Sequence, residues 1–433
     1  MYQSHGAEGP VSNGYHWSGG LARRACITQH HYNPDQQLMK PTTGFAPRAL
    51  TDTQRRTLWS ACAAHILHDG YADLIYILLP VWQAEFGIGF GSLAVLRGLY
   101  TGSMAALQLP AGSLAKRVGS GTILSAGMAL AALGYALAGF SAGIVGLCVA
   151  LTLSGCGSST QHPIASAAIS HAYGKDARRP LGIYNFSGDL GKAAIPASVS
   201  LLISVMSWRH ALWIVSGVGM IGAIGLAIFF PAIRGASTST VPLQQMPRGR
   251  GGFALLFMIG VLDTGVRMGF LVFLPFLLKG KGASLPTIGA ALSLLFIGGA
   301  AGKFVCGWLG AKFGVIGTVL TTETGTAVCI LAVLLAPLNM CLVLLPLLGV
   351  MLNGTSSVLY GTVPDLTPPH RTERAFALFY TGTIGSGAVA PIAYGVLGDS
   401  IGANGATIAT AVTAMLILPL AIALAPHLAR SQS

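Results

Sequence analysis

Residues 232–252, AIRGASTSTVPLQQMPRGRGG, are the longest hydrophilic break in a chain that is otherwise apolar from residue 57 onward. With three Arg and two Pro in a run of Ser, Thr, Gln and Gly, the segment cannot cross a membrane, because a spanning helix needs about 20 mainly apolar residues. Working outward from it, apolar runs fall at 57–80, 92–112, 121–141, 144–168, 180–206 and 210–231 on one side. On the other they fall at 253–278, 286–310, 315–337, 340–363, 374–398 and 403–427. Six and six predict an all-α membrane protein of twelve transmembrane helices. Its six-helix halves are 56–231 and 253–433, and 232–252 is a cytoplasmic linker.

Composition points the same way. The chain has 433 residues, 53% hydrophobic and 9% charged, with a mean hydropathy of +0.66. A soluble domain carries about 25% charged residues, so a soluble globular enzyme and a disordered chain are both excluded. The 58 Gly suit helices packed closely in lipid. Residues 1–55 are polar and lack the apolar stretch of about 7–15 residues that a signal peptide carries. They read as a disordered cytoplasmic tail. The seven Cys are scattered and act as small hydrophobes rather than as a metal or disulfide frame.

The net charge of +12 is read through the positive-inside rule rather than as a nucleic-acid footprint. With both termini cytoplasmic, fourteen Lys and Arg fall in inner loops against three (Arg209, Lys279 and Lys281) in outer loops, the tail excluded. A wrong span number would scramble that alternation. The expected location is a bacterial inner membrane.

The halves repeat each other at an offset near 195 residues. Gly112-Ser-Leu-Ala-Lys116-Arg117-Val-Gly119 matches Gly307-Trp-Leu-Gly-Ala311-Lys312-Phe-Gly314. Gly157-Ser158-Ser159 matches Gly354-Thr355-Ser356-Ser357, and Gly188-x-x-Gly191 before Pro196 matches Gly382-x-x-Gly385 before Pro391. Two similar halves with a site between them near mid-depth are expected of secondary transporters.

These residues resemble the major facilitator superfamily, whose signature after span two reads Gly-x-x-x-Asp-Arg/Lys-x-Gly-Arg-Arg/Lys. Lys116 stands at the Asp position, Arg117 at the basic one and Gly119 at the second Gly, and Ala311 replaces the Asp in the second half. The resemblance implies a gating role for Gly112, Lys116, Arg117, Gly119 and Pro196, with the usual acidic latch altered. Within the superfamily the chain is similar to the fosmidomycin-resistance type of exporter. The matching pieces are His65-Ile-Leu-His-Asp69, Gln83-Ala-Glu85-Phe86, Gln108-Leu-Pro110 and Gly155-Cys-Gly-Ser158-Ser159-Thr-Gln-His162-Pro163. That likeness implies proton-driven export of a small molecule by a functional monomer, with no cofactor and no catalytic residue.

Nine Asp, Glu, Lys or Arg lie within the apolar runs: Asp69, Asp73, Arg97, Asp189, Lys192, Asp263, Arg267, Lys303 and Glu323. Each costs about 2.5–3.5 kcal/mol if it faces lipid at mid-depth, so they should face the interior, pair and mark the pathway. His65, His68, Asp69 and Asp73 fall at i, i+3, i+4 and i+8, one helical stripe. Two acids a turn apart repel, so one is expected to take up a proton near neutral pH. Asp69, helped by Asp73, is the expected proton carrier. His65, Arg97, His162, Lys192, Asp263 and Arg267 are the expected cargo-binding groups, and their cations suit a phosphonate, phosphate or carboxylate. Asp263 with Arg267, and Asp189 with Lys192, are spaced to close as pairs on their own helices. Glu323 falls on span nine, which the superfamily places at the periphery. The same stripe of two His and two Asp also fits a divalent metal. Uptake, metal or metallophore transport, and a non-transporting membrane sensor or assembly factor are the alternatives to export.

Overall fold

The computed structural model describes residues 50–231, 251–368 and 372–431, and among them there are only helices, short 3-10 turns and loops. The N-terminal tail up to Ala49, nearly all of the linker and Arg371 lie outside the described residues. The helices are α1 (Asp52–Phe86), α2 (Phe90–Val118), α3 (Ser120–Phe140), α4 (Ile144–Ser158), α5 (Gln161–Tyr173), α6 (Arg178–Val205) and α7 (Trp208–Phe229). They continue with α8 (Gly252–Gly280), α9 (Leu285–Leu335), α10 (Leu338–Thr362) and α11 (Thr372–Ser431).

Local sequence explains the ends. Thr51 caps α1 in a reciprocal box with Gln54, and α1 stops at Gly87 in the left-handed region, which glycine enters without the Cβ penalty. Span four is two helices, α4 and α5, because the chain turns at Ser159–Thr160 just ahead of Pro163. The runs expected at 286–310 and 315–337 are two helices that meet within α9 at Gly314 (φ 69°). Those expected at 374–398 and 403–427 likewise meet within α11 at Gly402 (φ 77°). Eight described helical stretches, the α4–α5 pair, α9 and α11 among them, are long and apolar enough to cross a membrane by length and composition. Counting the two helices of α9 and of α11 separately and adding the charge-bearing α1 and α2 is consistent with twelve crossings.

Within the first half α1 packs on α6, and α3 on α4 and α7. Within the second, α8 packs on α11 and α9 on α10. The halves meet chiefly through α2 with α11 and α6 with α9. The cores show where they meet. One apolar cluster joins both halves, uniting Leu74, Leu78 and Tyr100 with Phe270, Leu295 and Leu345. Two further clusters are private. One holds Leu58, Ile123 and Ile169 of the first half, and the other Leu256, Leu359 and Leu424 of the second. The shared cluster lies toward the turns at 87–89 and 281–284, the closed end. The private ones lie toward the turns at Gly119 and Gly314, where no shared apolar cluster joins the halves among the described residues.

Candidate functional site

Between the halves is a cavity of about 410 Å³. Asp69 and Asp73 of α1, Arg97 of α2, Asp189 and Lys192 of α6, Asp263 and Arg267 of α8 and Lys303 of α9 all line it, with His68 and His162. Eight of the nine charges singled out in the sequence therefore meet in one chamber, four acids against four cations.

Close helix approach builds its first-half wall. A Cβ at Gly191 would fall 2.1 Å from the Ile66 carbonyl, and one at Gly188 would fall 2.5 Å from Asp69 Oδ2. Glycine at both positions lets α6 seat against α1 and bring Lys192 to Asp69. The turn between α4 and α5 brings His162 to the same carboxylate. Lys192 Nζ is 3.3 Å from Asp69 Oδ2. On the other oxygen, Oδ1, converge His65 Nε2 at 3.4 Å, His68 Nε2 at 3.7 Å and His162 Nε2 at 3.7 Å. His68 and His162 approach each other at 3.2 Å through the same nitrogens.

His65 does not line the cavity. It stacks on Tyr184 with ring centroids 4.0 Å apart, and its Nδ1 lies 2.7 Å from the Tyr184 carbonyl. That carbonyl can only accept, so Nδ1 carries a hydrogen and donates. In the neutral ring Nε2 is then an acceptor. It faces a carboxylate, a second acceptor, and has no hydrogen-bond partner among the described residues. A proton placed between His65 Nε2 and Asp69 Oδ1 turns this opposition into a charge-assisted hydrogen bond.

His65, Asp69 and His162 offer ligand atoms within 4.8 Å of one another, a donor set suited to a divalent transition metal. The expected four-residue stripe is not the set: Asp73 turns away to Arg97, 3.7 Å distant. Lys192 on the other oxygen of Asp69 also places a positive charge where a cation would have to compete.

The remaining first-half charges are paired. Arg97 donates to Thr101 Oγ1 and lies over the rings of Tyr76 and Tyr100 at 5.1 and 5.7 Å. Asp189 bridges the halves, 2.5 Å from Lys303 Nζ and 3.8 Å from Lys192. Lys192 and Lys303 are the accessible cations, with side chains 32% and 42% exposed.

The second half departs from expectation. Among the described residues Asp263 and Arg267 form no ion pair within 4.0 Å on α8; Arg267 remains a charged neighbour of Asp263, and the carboxyl of Glu323 of α9 also lies against it. Glu323, on span nine, points inward: it is 1% exposed and packs behind Asp263, outside the cavity lining. Sequence reading saw its charge but gave it no role, since nothing in the spacing reveals a contact between residues 60 apart.

Of the expected gating residues, Gly112, Lys116, Arg117 and Gly119 sit at the parting end, away from the charged chamber. Gly119 makes the turn between α2 and α3 at φ 113°, and Gly314 makes the equivalent turn in the second half. Pro196 is buried within an unbroken α6. A contact that sequence reading missed holds the closed end. Asp399 Oδ1 accepts from Phe90 N at 2.6 Å and Oδ2 from Gly91 N at 3.0 Å. The N-cap of α2 is Gly89, with no side-chain cap of its own, so an acid from the other half caps it and satisfies its positive dipole end. The visible signal was an uncapped helix start paired with an acid just before a turn glycine.

The chain matches the Major Facilitator Superfamily over residues 61–259 and again over 255–432, and it belongs to that family: a multi-pass, all-α transporter-family protein, not an enzyme. It is 22% identical over 367 residues to the fosmidomycin resistance protein of Escherichia coli (strain K12), covering 82% of this chain and 90% of that one. It is 24% identical over 376 residues to a probable 4-methylmuconolactone transporter of Cupriavidus pinatubonensis (strain JMP 134 / LMG 1197), covering 82% and 86%. Its fold is shared with a bacterial homolog to the human lysosomal transporter Spinster in an inward-facing and occupied conformation. There the TM-score is 0.75 at 14% identity, with 88% of this chain and 99% of that one covered.

Proposed function

We propose that the protein is a proton-coupled secondary transporter that exports a small anionic or zwitterionic compound across a bacterial inner membrane, as a monomer with both termini cytoplasmic. The observation that carries this reading is the opposed pair of acceptors, His65 Nε2 and Asp69 Oδ1, at 3.4 Å beside a Lys192 that is open to the cavity. A proton on this pair loosens the hold of Asp69 on Lys192, so protonation and cargo binding are linked through one carboxylate. The helices joined at the closed end and parted at the other correspond to an inward-facing state, with Asp399 as outer latch.

The sign of the coupling follows from the cargo. An anion seated on Lys192 alone favours protonation of Asp69, and proton and anion travel together. A zwitterion that also sets an ammonium on Asp69 competes with the proton, and exchange results. Export against a proton gradient therefore favours a zwitterion or a cargo with a cationic end. The relatives' names, a fosmidomycin resistance protein and a probable 4-methylmuconolactone transporter, support a small organic solute.

Reconstituted protein should move at least one member of a panel of phosphonates, phosphate esters and amino-phosphonates under an imposed pH gradient. Folded protein that moves none of them would point to a non-transporting sensor. The convergence of His65, Asp69 and His162 favours one second reading, transport of a metal or metal chelate. Stabilisation by zinc or cobalt that is lost in His162→Ala would support it.

A further inference from the structure

The nine intramembrane charges comprise five acids and four cations, so one acid lacks a counter-charge. Geometry locates the surplus. Asp69, Asp73 and Asp189 each have a Lys or Arg within 4.0 Å, which consumes Lys192, Arg97 and Lys303. Only Arg267 remains, for both Asp263 and Glu323. These two are 3% and 1% exposed, and their carboxyls lie against each other across α8 and α9.

Two ionised carboxylates are acceptors only and cannot hydrogen-bond to each other. Asp263 Oδ2, Glu323 Oε1 and Arg267 Nε each lack a hydrogen-bond partner among the described residues. A buried orphan acceptor on each side of one contact is what a shared proton accounts for. The other groups facing the pair bring no positive charge. They are Cys306 of α9 and Tyr360 of α10, which face Asp263, and Thr355 of α10, which contacts Glu323. From the first half, Asp73 and Tyr76 of α1 and Lys192 of α6 face Arg267, and Lys192 is already engaged by Asp69. Among the described residues α11 supplies no cation here: its polar side chains at this stretch of α8 are Thr383, beside Gly260, and Ser386, whose hydroxyl donates to the Val261 carbonyl at 2.6 Å.

We propose that Asp263 and Glu323 form a second proton-binding site, in the C-terminal half, that holds one proton between its two carboxyls in the state described. One group is the acid and donates its O–H. The other is the carboxylate and accepts, and Arg267 offsets the single remaining charge. Asp263 lines the cavity and Glu323 lies behind it, so the proton enters and leaves by way of Asp263. Arg267 lines the cavity too. An anion that engages it withdraws charge from the pair and strengthens its hold on the proton, which ties cargo in the second half to a proton there. This inference deepens the proton-coupled reading above, but its test needs no transport.

The test is infrared difference spectroscopy on full-length protein in nanodiscs at neutral pH, wild type against Glu323→Gln. Wild type should show a carboxylic-acid C=O band that shifts on H/D exchange, and Glu323→Gln should lose it, because Asp263 alone is balanced by Arg267. Asp263→Asn should lose the same band, which covers the case in which one variant fails to fold. A band that survives in both variants, or is absent from wild type, overturns the shared proton. A band that behaves as expected in a protein inactive across the solute panel leaves the site standing and removes the transport reading instead.

Discussion

The two halves repeat each other in sequence at an offset near 195 residues and settle their buried charges in opposite ways. In the N-terminal half, each of the three acids within the apolar runs meets a cation: Asp69 has Lys192, Asp73 has Arg97, and Asp189 has Lys192 and Lys303. In the C-terminal half, Asp263 and Glu323 meet each other and share one Arg267. Ion pairing fixes charge at all pH values in which both partners stay ionised; an acid pair fixes it only by holding a proton. The comparison teaches that a pseudo-symmetric scaffold need not be electrostatically symmetric. The first half offers the exposed Lys192 to cargo, and the second lends Lys303 to Asp189 across the interface and stores a proton beside Arg267.

The largest effect expected from breaking this asymmetry is at Lys192. Lys192→Met removes the cation from a buried carboxylate that is otherwise ringed by His. Removing one member of a buried pair costs about 3–5 kcal/mol, reduced here because the side chain is a third exposed. Thermal unfolding should show a large loss, and affinity for an anionic cargo should fall. Combining it with Asp69→Asn should recover part of the stability, with a coupling on the order of 1–3 kcal/mol. Strict additivity would mean that the pair is not energetically real. Arg267→Met should cost less, about 1–2 kcal/mol, because Asp263 and Glu323 can both take protons, an escape the first half lacks. Equal losses at Lys192 and Arg267 would erase the distinction between the halves.

A smaller effect is expected at the closed end. Asp399→Asn weakens a cap that joins the halves; loss of an N-cap costs about 1 kcal/mol. That is roughly a fivefold shift toward the outward-open state, readable from spin-label distances across α2 and α11. An unchanged distance distribution would deny Asp399 a latch role.

The smallest is at the rim beyond the apolar run of α1. There Arg209 donates to Glu85 at 2.7 Å and Trp208 to its other oxygen at 3.4 Å. The Arg209 hydrogen bond, then that of Trp208, hold the Glu85 carboxyl below its ordinary value. A depressed folded-state value means that the stabilisation is present above the unfolded-state value and is lost as pH falls through the folded one. The Tm difference between wild type and Glu85→Gln should therefore be small near neutral pH and vanish in acid.

Much of this was legible beforehand. The six-and-six pattern, the repeat near 195 residues and the cost of charge in lipid placed eight of the nine charged residues in one chamber, because hydropathy and burial of charge are properties of single helices. Partner choice was not legible. The i, i+4 spacing of Asp263 and Arg267 allowed a local pair, but the two form no ion pair within 4.0 Å among the described residues, and a carboxyl 60 residues away lies against Asp263 as well. His65 shares the α1 stripe, yet Tyr184 draws it behind the cavity wall while His68 faces in. The Asp399 cap depends on how α11 lies against α2, which no local pattern encodes. The altered loop at Lys116 and Ala311 carried no hint of the acidic cap that Asp399 makes at the other end.

The most direct test of the account is gradient-driven accumulation of a transported solute in proteoliposomes by Asp69→Asn, set beside exchange of labelled solute without a gradient. The account predicts that the variant loses accumulation and keeps exchange, since the cavity persists and only the proton link is cut. Accumulation at the wild-type rate would contradict it.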